Sequence, residues 1–221
     1  EAKLANPQTT MMILCNPHNP VGKIWDAETL ARIGALCDKY HVVVVSDEIH
    51  CDITAPDKEY IPFASVNEVN KRISVTCIAP TKAFNLAGMQ SSCIVVPDPF
   101  LRHKVNRGLN TDECAEPNSF AVTISIAAFN EGEEWNKEMR EYVEINKKEV
   151  YDFVERELPQ LHVCPSEATY LLWIDATSYC ISNGINSEDF FQSLKSNELF
   201  SSNILHNHFL FLMYLYYLMI F

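Results

Sequence analysis

The sequence predicts an α/β fold, a mostly parallel sheet followed by part of a small α/β domain, and three observations carry that expectation. Short apolar runs of strand length alternate with stretches of helix length. The early runs close on polar residues, which in an open parallel sheet places those residues at the carboxyl ends, where ligands bind. From about residue 119 the pattern turns helical, until two strand-like runs return between 161 and 174.

In order along the chain, the apolar residues 11–15 read as a first strand and enter the loop Asn16-Pro17-His18-Asn19-Pro20-Val21-Gly22. Asp26 is placed to cap a helix running to about residue 39, with Leu30, Ile33 and Leu36 on one face. The valine run 42–45 is the second strand and ends at Asp47. Residues 57–70 carry a loop and a short helical turn. Residues 73–77 and 92–96 read as further strands, the latter closed by the turn signal Pro97-Asp98-Pro99. Ala121, Ile124, Ala127 and Ala128 line one helical face, which breaks near Glu131-Gly132. Residues 133–158 then form a long amphipathic helix with Trp135, Met139, Tyr142, Val143, Val150, Phe153 and Val154 at helical spacing. Its aromatics read as core rather than as cofactor contacts. Strands over 161–164 and 170–174 and a helix over 187–195 complete a smaller unit. The expected organisation is a partial large domain over 1–131, an interdomain helix and partial small domain over 132–200, and an apolar tail over 201–221.

Composition narrows the function. A chain of 221 residues can bury a sizeable core, and a net charge of −12 without clustered Lys or Arg argues against nucleic acid as a partner. The 8 cysteines form no C-x-x-C pair, so neither a zinc ribbon nor a small disulfide framework is indicated, and reduced thiols in a cytoplasmic protein are expected. The 7 histidines lack a metal-binding spacing; His206 and His208 would point apart on a helix. The apolar run 209–221 is shorter than the roughly 20 residues a membrane span needs. It is an aggregation hazard if exposed.

Chemistry concentrates on Lys82, within Ile78-Ala79-Pro80-Thr81-Lys82-Ala83-Phe84-Asn85-Leu86-Ala87-Gly88, and on Asp47 and Asn19 upstream. Alone, a lysine is usually a solvated surface residue, and an aspartate after a valine strand usually begins a loop. Together, at successive strand ends, they match what pyridoxal phosphate requires: a lysine to carry it, an acid beside the ring nitrogen, and a donor for the ring hydroxyl. An amide such as Asn19 supplies that N–H without titrating.

The segments Leu14-Cys15-Asn16-Pro17-His18-Asn19-Pro20-Val21-Gly22, Val45-Ser46-Asp47-Glu48-Ile49-His50 and Ala79-Pro80-Thr81-Lys82-Ala83-Phe84-Asn85 resemble the fold type I pyridoxal-phosphate enzymes of the MalY/PatB group. Ala168-Thr169-Tyr170-Leu171-Leu172-Trp173-Ile174-Asp175 extends the resemblance, which reaches about Leu199. These are cystathionine β-lyases, or cysteine-conjugate C–S lyases, within the class I/II aminotransferase superfamily. The resemblance implies an aspartate aminotransferase-like fold and a homodimer acting on a small amino-acid substrate such as cystathionine. It implies that Lys82 carries the cofactor as a Schiff base, Asp47 pairs with the ring nitrogen, and Asn19 meets the ring hydroxyl. His50 stands where many aminotransferases have a tyrosine, which favours the lyase branch. Thr81 takes the hydroxyl position that often touches the phosphate. Ala79 and Gln90 depart from the serine and arginine of many relatives, which moves phosphate binding to other segments.

The same resemblance places a glycine-containing phosphate-binding turn before Glu1 and a carboxylate-binding arginine beyond Leu199, and no arginine follows Arg156. An out-of-frame or truncated reading of the gene is the expectation for the tail. The alternatives to the lyase are a class I/II aminotransferase, a non-catalytic cofactor-binding regulator, and an inactive gene fragment.

Overall fold

The computed structural model describes residues 1–186 and Asp189. The chain opens on β1 (Met11–Cys15), loops to Asp26 and enters α1 (Ala27–Lys39). Asp26 caps that helix as its position predicts, accepting from the Thr29 N–H at 2.7 Å. β2 (Val43–Asp47) follows, then α2 (Glu68–Ile73), capped by Asn67, and β3 (Ser74–Ile78). α3 (Pro80–Ala83) carries Lys82, and β4 (Cys93–Val95) closes the sheet.

The four strands lie in the order β1-β2-β3-β4, the first three parallel and the fourth antiparallel to β3. The mostly parallel sheet is thus present. Its register sets Cys15, Asp47 and Cys77 opposite one another, so the carboxyl ends of β1, β2 and β3 are level. Beneath them, Leu14, Val42 and Val44 pack with Leu30 and Cys37 of α1 and with Phe63. A Cβ at Gly34 would stand 1.8 Å from Asn70 Oδ1, so only glycine lets α2 lie this close to α1. The opposite sheet face is open: Met11 and Ile13 are 55% and 64% exposed.

Three assignments change. Ile73 ends α2 instead of opening a strand, because the Asn67 cap starts a helix that runs through Lys71 and Arg72. Past the Pro-Asp-Pro turn lies α4 (Pro99–Thr111), for which the sequence reading had no helix. Asp98 accepts from the Leu101 N–H at 2.7 Å and Pro99 takes the first helical position, so the same residues that signal a turn also start a helix. Downstream, α5 (Ala121–Glu131) and α6 (Glu133–Glu157) meet at Gly132, at the expected break.

β5 (His162–Val163) and β6 (Ile174–Asp175) pair antiparallel but are much shorter than the runs 161–164 and 170–174. Thr169 has φ +65°, and its hydroxyl accepts from the Leu171 N–H at 3.1 Å, which turns residues 170–172 away from the ladder, while the Trp173 carbonyl still accepts from the Cys164 N–H at 2.8 Å. α7 (Thr177–Asn183) follows. The helix expected over 187–195 lies outside the described residues, Asp189 apart, as does the tail 201–221. Among the described residues no helix is long and apolar enough to cross a membrane.

Candidate active site

The level strand ends bring the sequence-predicted residues together. Asp47 is the last residue of β2, and its Oδ1 accepts from the Ile49 N–H at 3.2 Å, which turns the chain so that His50 comes back toward the crevice. The loop after β1 brings the Asn19 amide Nδ2 to 3.5 Å from His50 Nε2. Thr81 and Lys82 sit half-buried on α3, just past the end of β3. Cys15 and Cys77 flank Asp47, and burial, followed by the Asp47 charge, pushes both thiols up from their ordinary value.

His50 is 3% exposed, and burial pulls its imidazole down to about 4. The Asp47 carboxylate acts against that pull and the Lys82 ammonium reinforces it, which puts both charges within electrostatic reach of the ring. The ring is therefore neutral at physiological pH. With Nε2 accepting from Asn19, the proton sits on Nδ1, which is buried and has no hydrogen-bond partner among the described residues. Tyr170 packs edge-on against the imidazole with ring centroids 5.7 Å apart.

Behind Asp47, Glu48 anchors the turn. Its carboxylate accepts from Ser46 Oγ at 2.7 Å, from the Phe63 N–H at 3.0 Å and from the Tyr60 hydroxyl. Burial raises its pKa, and those three hydrogen bonds pull the other way. Further on, Arg140 of α6 donates to the Thr54 carbonyl and hydroxyl, both at 2.8 Å, and Asn136 donates to the Asp52 carbonyl at 3.1 Å, so the long helix braces the stretch after His50.

Sequence reasoning placed Asn19, Asp47, His50, Thr81 and Lys82 but gave no role to Glu48, Tyr170 or Lys147. Tyr170 stood inside a quoted motif; Glu48 and Lys147 carried no signal beyond being charged. The residues present fit pyridoxal phosphate. A buried Nδ1 awaits a partner beside Asp47, and Lys82 enters none of the ion pairs among the described residues.

A mostly parallel sheet with a lysine, an acid and an amide gathered at its strand ends is the arrangement that comparison with known proteins places in a family. The chain belongs to the aminotransferase class I and II family, whose model matches residues 1–210. It is 43% identical over 183 residues to cystathionine beta-lyase PatB of Bacillus subtilis (strain 168), covering 83% of this chain and 47% of that protein. Protein MalY of Escherichia coli (strain K12) is 30% identical over 176 residues, 79% of this chain and 44% of that protein. Among solved structures, the PLP-bound C-S lyase from Staphylococcus hominis superposes with a TM-score of 0.79 at 32% identity, covering 88% of this chain and 48% of that one. Cystalysin from Treponema denticola, which contains pyridoxal 5'-phosphate, gives 0.81 at 26% identity, with the same shares of each chain covered. The fold is therefore that of the pyridoxal-phosphate-dependent aminotransferases. The chain spans about half the length of the curated relatives it matches.

Proposed function

We propose that this chain carries the cofactor-binding part of a pyridoxal-phosphate C–S β-lyase acting on cystathionine or a related cysteine conjugate. The observation that carries the reading is the convergence of Asn19, Asp47, His50 and Lys82 on the level carboxyl ends of β1, β2 and β3. When bound, pyridoxal phosphate draws electrons from the substrate α-carbon and so makes its proton removable. Lys82 would hold the cofactor and, as a free amine, would take the substrate α-proton as general base. Asp47 would keep a proton on the ring nitrogen, and the Asn19 amide would donate to the ring hydroxyl. His50 is neutral and brings no competing charge to that hydroxyl. Thr81 is assigned to the phosphate. The proton taken by Lys82 would pass to the thiolate leaving the β-carbon, and water would hydrolyse the remaining three-carbon enamine, through its imine tautomer, to a keto acid and ammonia.

The runner-up is an aminotransferase, in which the amino group would be retained for transfer instead of leaving as ammonia. His50, in place of the tyrosine of many aminotransferases, favours the lyase. A homodimer in the cytoplasm is part of the same reading and rests on the resemblance. Borohydride reduction of the cofactor-treated full chain, followed by peptide mapping, tests the site. The pyridoxyl group is expected on Lys82; finding it instead on Lys23 or Lys71 sinks the assignment.

A further inference from the structure

Lys147 sits in the middle of α6 at 2% exposure, and the chemistry above makes no use of it. Its ammonium donates to Ser166 Oγ at 3.0 Å, its one acceptor among the described residues. Ser166 Oγ donates in turn to the Ala168 carbonyl at 2.9 Å, with the Leu171 carbonyl 3.2 Å away. The Glu167 and Ala168 N–H groups both donate to the Gly22 carbonyl, at 2.8 and 2.9 Å, and the Thr169 N–H donates to the Ile53 carbonyl at 2.7 Å. One short segment therefore ties the loop that carries Asn19 to the stretch that follows His50, and brings Tyr170 onto the His50 ring. Lys147 meets that segment at Ser166.

A buried ammonium whose acceptor is a neutral hydroxyl is a cost to folding. Burial indeed pulls Lys147 down to about 8, although Glu144 on the same helix acts against the pull. An apolar side chain of similar length would avoid that cost, so the cation is better explained by what it holds in place. We propose that Lys147 is a positioning residue for the candidate cofactor site: through the Ser166 hydroxyl it holds residues 166–171 on Gly22 and so fixes Asn19 and Tyr170 against His50. The cofactor-site reading gives this placement its purpose, and the test separates the two.

The full chain is compared with Lys147→Met by amide hydrogen exchange read by NMR, by thermal melting, and by pyridoxal phosphate titration followed by absorbance. The expected result is a Tm equal to or above the parent's, with exchange at Glu167 and Ala168 at least about tenfold faster and β2 amides unchanged. The cofactor dissociation constant should rise about tenfold as well. Ser166→Ala should speed exchange at Glu167 and Ala168 and weaken cofactor binding by the same factors, while its Tm falls because the buried ammonium loses its acceptor. The double variant should show no more of either local change than one substitution alone, since both break one relay. Exchange at Glu167 and Ala168 within twofold of the parent overturns the proposal, as does a lowered Tm of Lys147→Met with faster exchange throughout the chain, or additivity of the two substitutions in local exchange. If Lys147→Met does not fold, Ser166→Ala decides by the same exchange criterion. Failure of the parent itself to bind the cofactor overturns the reading of the site, while the exchange measurements still judge the hold on residues 166–171.

Discussion

His50 shows what a single buried group does to the behaviour of the chain. Its folded pKa of about 4 lies below its ordinary value, so between about pH 6.5 and 4 the unfolded chain binds a proton that the folded chain does not. Stability is therefore lost as pH falls through that window, by up to about 3 kcal/mol from this residue. Glu48 has the opposite sign: burial raises its pKa, so its contribution is present at low pH and is lost as pH rises through its folded value. Comparing His50→Gln with the parent isolates the first effect. Urea unfolding at pH 7 and pH 4 should show the variant losing less stability on acidification; equal losses would refute the buried neutral imidazole. Asp47 makes a second prediction. In a full-length relative with the same aspartate, Asp47→Ala should lower the turnover rate a hundredfold or more, since breaking a buried ion pair costs about 3–5 kcal/mol, while cofactor still attaches to the lysine. Activity within a few-fold of the parent removes the role. At this scale the sequence was legible in placement: Asn19, Asp47 and Lys82 lie at or just past the carboxyl ends of β1, β2 and β3, as the order of strand-like runs puts them. It was silent on Lys147, whose letter is the same as that of the exposed Lys148 beside it on α6; burial alone separates them.

Elements were legible where local chemistry and periodicity agree, and illegible where a tertiary contact decides. The Asp26 cap, the valine run of β2 and the Gly132 break all lie where the sequence puts them. Residues 170–172 carry a strand-like composition, yet the left-handed Thr169 and the contacts of residues 167–169 with Gly22 and Ile53 turn them away from the sheet. That docking depends on Gly22. Its φ of +77° favours glycine, and a Cβ there would stand 2.2 Å from Ser166 Oγ and 2.5 Å from the Ala168 carbonyl oxygen. The neighbouring backbone oxygen cannot move without breaking the bonds between the Gly22 carbonyl and the Glu167 and Ala168 N–H groups. Gly22→Ala should accordingly cost about 2–4 kcal/mol in folding stability, combining overpacking with a strained backbone. Chemical denaturation measures it directly; a loss below about 0.5 kcal/mol, the scale of a neutral surface change, would show that the two segments are not in this contact.

For the molecule as a whole, the decisive inventory is that of its arginines, the side chains best suited to orient a substrate carboxylate by two parallel hydrogen bonds. Arg72 pairs with Asp38, Arg156 with Glu157, and Arg140 is committed to Thr54 and Ala55. Arg102 donates to the Val96 and Pro97 carbonyls, while Arg32 and Arg107 are exposed on α1 and α4. No arginine of the chain is thus in contact with Asn19, Asp47, His50 or Lys82. The groups that would carry the cofactor and move the proton are gathered, and no arginine stands among them. A displacement of about 1 Å at a reacting centre already costs about a hundredfold in rate. This 221-residue chain alone, loaded with pyridoxal phosphate at Lys82, should therefore release ammonia from cystathionine at least about a hundredfold more slowly than a full-length relative at equal cofactor occupancy. Rates within tenfold of each other would mean that a group other than arginine anchors the carboxylate, and Lys23, exposed beside the Asn19 loop, would be the first to replace.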